Sequence, residues 1–307
     1  MNRRALTGVA TVAGAATAAW QVAHRTSPLV RRWRPSTLPR TSAGPLGLRD
    51  SGPTHRSTDV VVLLHGLGAT GDYFGAYYDE LRHDHRVLIV DLLGFGRSVD
   101  EQRTSFTLAD HVDALDAMLG ELKLDSADVV LAAHSMSSAI ALAWAARHPE
   151  RTNHVYLWGP PIYADADAAA AIGEEYGTMS RLLLLDTTWA EWACRVNCWN
   201  RSASGALMAA MSPRWPTGIS RHASRHTWEA YSGSLRSLVF DVDWHALLPT
   251  NVPLTIWRGT DDPSGDRDLT ARLVGPARVV DIHGGDHHLA LRRPDLLMAE
   301  LGAGPPN

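Results

Sequence analysis

The chain has 307 residues, enough for one large α/β domain with an insertion or for two domains, and its 45% hydrophobic content supports a substantial core. A formal net charge of −4 removes the electrostatic case for nucleic-acid binding. Two cysteines are too few for a disulfide framework. Cys194 and Cys198 are spaced i,i+4 in a segment that reads as helical, a poor geometry for a disulfide, and are expected as two core thiols.

At the N-terminus, "MNRR" precedes an uncharged run rich in Ala, Gly and Thr from Ala5 to Ala23, long enough to span a bilayer yet weakly hydrophobic. Arg3-Arg4 and a small-residue site at Thr17 to Ala19 suit an export signal. Five arginines from Arg25 to Arg40 instead favour keeping the downstream chain in the cytoplasm. A cytoplasmic protein is expected, with residues 5–23 a candidate for membrane association and export as the alternative. Residues 24–57 contain five prolines and read as linker and lead-in. Residues 1–48 are thus expected to be a leader that the fold does without, the folded domain beginning near Arg49.

From there strands and helices alternate. "TDVVVLLHG" (Thr58 to Gly66) reads as an apolar strand ending in a glycine turn, "GDYFGAYYDELRHDH" as a helix and "RVLIVDLLGFGRS" as strand and loop. In "TLADHVDALDAMLGELKL", Leu108, Val112, Leu115, Leu119 and Leu122 share one helical face. "DVVLAA" (Asp128 to Ala133) is a strand, residues from Ser137 to Arg147 a helix, and "NHVYLWGPP" (Asn153 to Pro161) another strand. This order predicts an α/β fold with a doubly wound, mostly parallel sheet. Between Ile162 and Asn251 the alternation stops; the span is helical in character and holds six of the eleven tryptophans. Residues 162–251 are therefore expected to form a helical cap inserted between sheet segments 49–161 and 252–307. Strands resume with "VPLTIWRG" and "ARVVDIHGG".

The chemistry centres on "LAAHSMSSAI". An apolar strand ends in Ser135 just where a helix starts, and a serine at such a corner is strained and exposed at the sheet's edge, the geometry of a nucleophile elbow. A serine hydroxyl is a weak nucleophile; it needs a base, and the base needs an acid to fix its tautomer. Both belong just after later strands, acid first. "RGTDDP" offers Asp261 and Asp262, and "HGGDHHLALRRP" offers His283, His287 and His288. Oxyanion donors are expected from the backbone N–H groups of Met136 and of Leu67 in "HGLG". His65 and His134 are read as positioning groups, and Asp91 as a stabiliser of the "LLGFGRS" turn.

With "HGLG", "DLLGFGRS", "AHSMSS", "GTDDP" and "GGDHHLALRRP" in this order, the chain resembles the α/β-hydrolase family, in particular its capped, serine-nucleophile, esterase-like branch. The resemblance covers residues 58–160 and 252–300. It implies that Asp262, in the Gly-x-x-Asp pattern from Gly259, is the acid, and that His287, seven residues before Pro294, is the base, with His288 packing against the cap or solvent. The family's two elbow glycines are replaced by Ala133 and Ser137, small enough to leave the elbow intact.

The leading reading is hydrolysis of a carboxylic ester or lactone through an acyl-enzyme on Ser135, on a small apolar substrate and without a cofactor. Carbon–carbon bond hydrolysis, thioester hydrolysis or acyl transfer would use the same residues. A binding or receptor protein with slow or no turnover is the reading from another class. Epoxide hydrolysis and dehalogenation are disfavoured, because the family's members with those activities carry Asp where Ser135 stands. Candidate pocket residues are His65, Gly66, His134, Trp158, Trp228, Tyr231 and His288. Trp189, Trp192, Trp199, Trp228 and Tyr231 are expected mostly as cap core, Met208 and Met211 fit core or pocket, and His222 and His226 read as a solvated basic face rather than metal ligands.

Overall fold

The computed structural model describes residues 17–54, 59–175 and 188–302. Eight strands form one sheet in the order β1-β2-β4-β3-β5-β6-β7-β8. They are β1 (Arg40–Ala43), β2 (Leu46–Asp50), β3 (Val60–Leu64), β4 (Arg86–Val90), β5 (Val129–His134), β6 (Thr152–Trp158), β7 (Leu254–Gly259) and β8 (Arg278–Ile282). From β4 to β8 every pairing is parallel; β1 with β2 and β2 with β4 are antiparallel. Every residue of β3 and β5 is buried, as expected of central parallel strands covered on both faces. Side chains split by parity: Val60, Val62 and Leu64 join one core cluster, Val61 and Leu63 the other.

The helices in chain order are α1 (Pro28–Arg32), α2 (Leu108–Glu121), α3 (Ser137–Arg147), α4 (Ala166–Glu175), α5 (Thr188–Trp199), α6 (Arg201–Met211), α7 (Thr217–His222), α8 (Trp228–Leu235), α9 (Trp244–Leu247), α10 (Arg267–Leu273), α11 (Leu289–Arg292) and α12 (Asp295–Glu300). The expected face of α2 is the one that packs on the core, and the helix opens on a capping box in which Thr107 and Asp110 satisfy each other's backbone N–H groups. Between β6 and β7 the described residues are helical apart from turns and an isolated bridge of His226 to Phe95. Residues 1–16 and 176–187 lie outside the described part, and with them most of the run from Ala5 to Ala23. No helix among the described residues is long and apolar enough to cross a membrane.

Three expectations are corrected. Residues 24–48 are not a dispensable lead-in. β1 and β2 are sheet strands, Leu29 and Leu38 are buried in the second core cluster, and Asp79 accepts hydrogen bonds from the Thr37 N–H at 2.6 Å and the Thr37 hydroxyl at 2.9 Å. Both strands are short, interrupted by glycine and proline, and β1 carries polar residues at an edge, so neither shows an apolar run. A helix of residues 17–26 is also fastened down: His24 Nδ1 lies 2.8 Å from the Pro213 carbonyl, and the Ser27 hydroxyl donates to that of Arg214 at 2.7 Å.

Next, "GDYFGAYYDELRHDH" is not one α-helix but two 3₁₀ segments, Gly71–Tyr73 and Ala76–His83, broken at Gly75. Finally, Trp189, Trp192 and Trp199 are not core: they are 53%, 56% and 89% exposed.

Candidate active site

The site is assembled where the parallel strands end. β5 runs to His134, and the Ser135 N–H continues the ladder by donating to the Trp158 carbonyl of β6 at 2.9 Å. The chain then turns through Ser135 at φ 56, one of two described non-glycine residues with positive φ, and α3 begins. A serine in the left-handed region is strained, and such strain persists where surrounding packing imposes it.

His287 stands between the two other groups. Its Nε2 accepts from the Ser135 hydroxyl at 2.9 Å, and its Nδ1–H faces both oxygens of Asp262 at 3.1 and 3.0 Å. Asp262 is buried and Asp261 exposed, while His283 is exposed and plays no part in the cluster. Burial pushes the Asp262 carboxyl up, but the hydrogen bond and charge of His287, with the Ser264 bonds, outweigh it and the net shift is downward. The carboxylate thus stays ionised and fixes the imidazole tautomer that presents a bare Nε2 to the serine.

Two glycines are required by close approach. A Cβ on Gly66 would stand 2.8 Å from His134 Nδ1, and one on Gly159, which has φ +53, would stand 2.7 Å from Asp262 Oδ2. The backbone N–H groups of Leu67 and Met136 have no hydrogen-bond acceptor among the described residues.

The remaining histidines support the frame. His65 is fully buried; its Nε2 accepts from the Leu92 N–H at 3.0 Å and its Nδ1–H donates to the Gly66 carbonyl at 2.8 Å, which pins the "HGLG" turn. His134 Nε2–H donates to the His287 carbonyl at 2.7 Å and so holds the loop carrying the base. Burial, with His287 close by, drives His134 down to about 3, so it remains neutral at working pH. His288 is half-buried against the ring edge of Trp215 and 3.3 Å from the Tyr73 hydroxyl, and burial lowers it well below its ordinary value.

The other pocket candidates pack as follows. Trp158, paired with His134 in the sheet, is fully buried against Phe74, Tyr78 and Trp257. Trp228 and Tyr231 stack on each other from α8, with Tyr231 beside His226. His222 and His226 are not a solvated basic face: His222 Nδ1 pairs with Asp72 at 2.6 Å, and His226 is buried against Cys194 and Phe95. The two cysteines are half-buried free thiols with sulfurs 4.0 Å apart. Asp91 accepts from the N–H groups of Gly71 and Arg97 at 2.7 and 2.8 Å, tying the turn after β4 to the loop after β3.

Sequence reasoning missed Ser264 and the part played by Ser137. The Ser264 hydroxyl lies 3.0 Å from His287 Nδ1, and its N–H donates to Asp262 at 2.9 Å. Its position two residues after Asp262 was the available signal. The fully buried Ser137 hydroxyl accepts from the His134 N–H at 3.1 Å and reaches the Leu64 and His134 carbonyls at 2.9 Å. The residue standing for glycine therefore knits the end of β3 to the elbow.

Residues 59–184 match the family described as the alpha/beta hydrolase fold. A protein of Arabidopsis thaliana named probable lysophospholipase BODYGUARD 4 is 38% identical over 109 residues, 34% of this chain and 26% of that protein. A 2-hydroxymuconate semialdehyde hydrolase of Pseudomonas sp. (strain CF600) is 38% identical over 135 residues, 40% of this chain and 46% of that protein. In the first three curated relatives the matched stretch spans only 24 to 26% of their length. Among solved structures, E-2-(acetamidomethylene)succinate hydrolase superposes with a TM-score of 0.65 at 19% identity, over 86% of this chain and 97% of that one. Sheet topology, family match and structural likeness agree on the fold: the chain has the α/β-hydrolase fold, and residues 59–184 match that family.

Proposed function

We propose that the chain is a serine hydrolase that cleaves a carboxylic ester through an acyl-enzyme on Ser135. The observation that carries this reading is His287 bridging Ser135 at 2.9 Å and Asp262 at 3.0 Å, with the serine at φ 56. His287 takes the hydroxyl proton as Ser135 Oγ attacks the ester carbonyl, and Asp262 stabilises the resulting imidazolium. The N–H groups of Leu67 and Met136 receive the negative charge that develops on the carbonyl oxygen. His287 then protonates the leaving alcohol, and a water attacks the acyl-serine by the reverse path.

Relatives named lysophospholipases support an acyl ester of a lipid as the substrate class. The 2-hydroxymuconate semialdehyde hydrolase likeness supports, as a second reading, carbon–carbon bond cleavage by the same three side chains. A panel of p-nitrophenyl esters of graded acyl length, lysophosphatidylcholine and a vinylogous ketone, run beside a fluorophosphonate probe, tests the proposal. Labelling and ester turnover are expected in the native protein and absent in Ser135→Ala. Undiminished labelling of Ser135→Ala sinks the reading.

A further inference from the structure

α5 and α6 carry their large apolar side chains on the outside. Trp189, Trp192, Val196 and Trp199 recur at i, i+3, i+7 and i+10 of α5, one helical face, and all are exposed. Leu207, Met208 and Met211 of α6 are exposed as well, and Trp199 is 89% exposed. Seven such residues within 23 positions form a patch that a water-facing surface does not need.

Among the described residues, the charge left unpaired on α6, α7 and the loops that flank α7 is positive. Arg201, Arg221, His222 and Arg225 line a cleft of about 340 Å³ against α6, with no acidic residue in its wall. The nearby carboxylates are already engaged: Glu191 and Glu229 by Arg195, Glu101 by Arg201 and Asp72 by His222. Arg214, Arg221 and Arg225 are exposed and have no carboxylate partner among the described residues. The helix of residues 17–26, with Val22 62% exposed, is fastened to the loop that follows α6 through Pro213 and Arg214.

From the exposed apolar residues of α5 and α6 and the unpaired arginines of the same segment we propose that α5 and α6 dock the protein on an anionic phospholipid bilayer surface. Tryptophans settle at the headgroup level with their rings in the acyl boundary, and methionine and leucine follow them into the apolar layer. The unmatched arginines meet lipid phosphates, an attraction that falls off within a Debye length. This orientation is independent of which bond the Ser135 site cleaves.

The full-length protein is sedimented with vesicles of equal parts phosphatidylglycerol and phosphatidylcholine, and with phosphatidylcholine alone. Binding to the anionic vesicles, weakened by salt and much reduced on phosphatidylcholine, is expected. Trp199→Ser with Met211→Ser, and separately Arg221→Glu with Arg225→Glu, should each weaken binding at least about tenfold. p-Nitrophenyl acetate turnover, read without vesicles, should be unchanged in both pairs, which separates a docking failure from a failure of the Ser135 site. Quenching of native tryptophan fluorescence by brominated phosphatidylcholine admixed with phosphatidylglycerol gives a readout that needs no variant. No vesicle binding by the native protein, equal binding to both compositions, absent quenching, or wild-type binding by the Trp199/Met211 pair overturns the proposal.

Discussion

The strand ends and the helical segment between β6 and β7 are built on opposite terms. At the strand ends, burial follows hydrophobicity: β3 and β5 are wholly buried, and His134 and His287 are each held by a fixed hydrogen-bond partner. In α5 and α6 the largest apolar side chains face outward, while His226 and the Cys194 and Cys198 thiols turn inward. A ladder fixes each strand residue's side and depth, so a group after a strand has one place to go. A helix has no such constraint; which face it buries depends on what it packs against. The difference teaches that Ser135, Asp262 and His287 are held by the strands they follow, whereas the helical segment is free to present a surface.

The sharpest break is at the base. His287→Ala should cost about 10³-fold or more in kcat/KM, and His288→Ala about tenfold through its packing on Tyr73 and Trp215. Steady-state kinetics on one ester compares them. If His288→Ala is the dead variant, the strand-end assignment is off by one residue.

Removing residues 1–39 tests whether the sheet side extends into the N-terminal part. The deletion strips Leu29 and Leu38 from the core and leaves the carboxylate of Asp79 without Thr37. A loss of about 3 kcal/mol or more is expected from the two leucines together. An unchanged urea midpoint would return these residues to the role of a leader.

Acid should weaken the fold through buried histidines on both sides of the comparison. His111 and His134 are each held down to about 3 by burial, and His226 to about 4. Between those values and the ordinary histidine pKa the unfolded chain binds more protons than the native one, so stability rises with pH. Their contribution is complete above the unfolded value near 6.5 and declines as pH falls toward 4. Asp262, whose carboxyl is depressed, adds a loss in the same direction at lower pH. Denaturation at pH 7 and pH 5 should differ by roughly 2 kcal/mol for each of the three rings, as each carries up to about 1.4 kcal/mol per pH unit below its unfolded value. Equal midpoints would mean that these rings are protonated in the native state.

Gly159→Ala places a methyl against Asp262 and His287 at a residue with φ +53. Turnover should fall about tenfold through displacement of the acid and base, with Ser264→Ala milder. Kinetic parity of Gly159→Ala with wild type would show that the pair tolerates movement. The smallest effect is expected across the divide: Trp192→Ser, on the exposed face of α5, should change the urea midpoint by less than about 0.5 kcal/mol. A large loss there would mean that this face is covered.

Much of the site was legible because its signals are local. Ser135 lies between an apolar strand and a helix, and "GTDDP" and "GGDHHLALRRP" each follow an apolar run. Choosing Asp262 over Asp261, and His287 over His283 and His288, required the family's spacing; in the structure Asp262 is buried and His287 Nε2 lies 2.9 Å from the Ser135 hydroxyl. Ser264 was not legible, since a serine in a polar loop looks like any turn residue until the fold sets its hydroxyl 3.0 Å from His287.

By itself the sequence determined the order of strands and helices, the mostly parallel sheet, the elbow at Ser135 and the chain order of its partners. These follow from hydrophobic periodicity and from where strands must end, properties of neighbouring residues. The tertiary structure alone decided that Arg40 to Asp50 complete the sheet, since edge strands this short gain their stability from the neighbour they pair with. It alone decided that Ser137 ties β3 to β5, that His222 pairs with Asp72 across 150 residues, and that the tryptophans of α5 face outward. Each of these is a contact, or the lack of one, between segments distant in the chain, and a periodicity of adjacent residues carries no information about it.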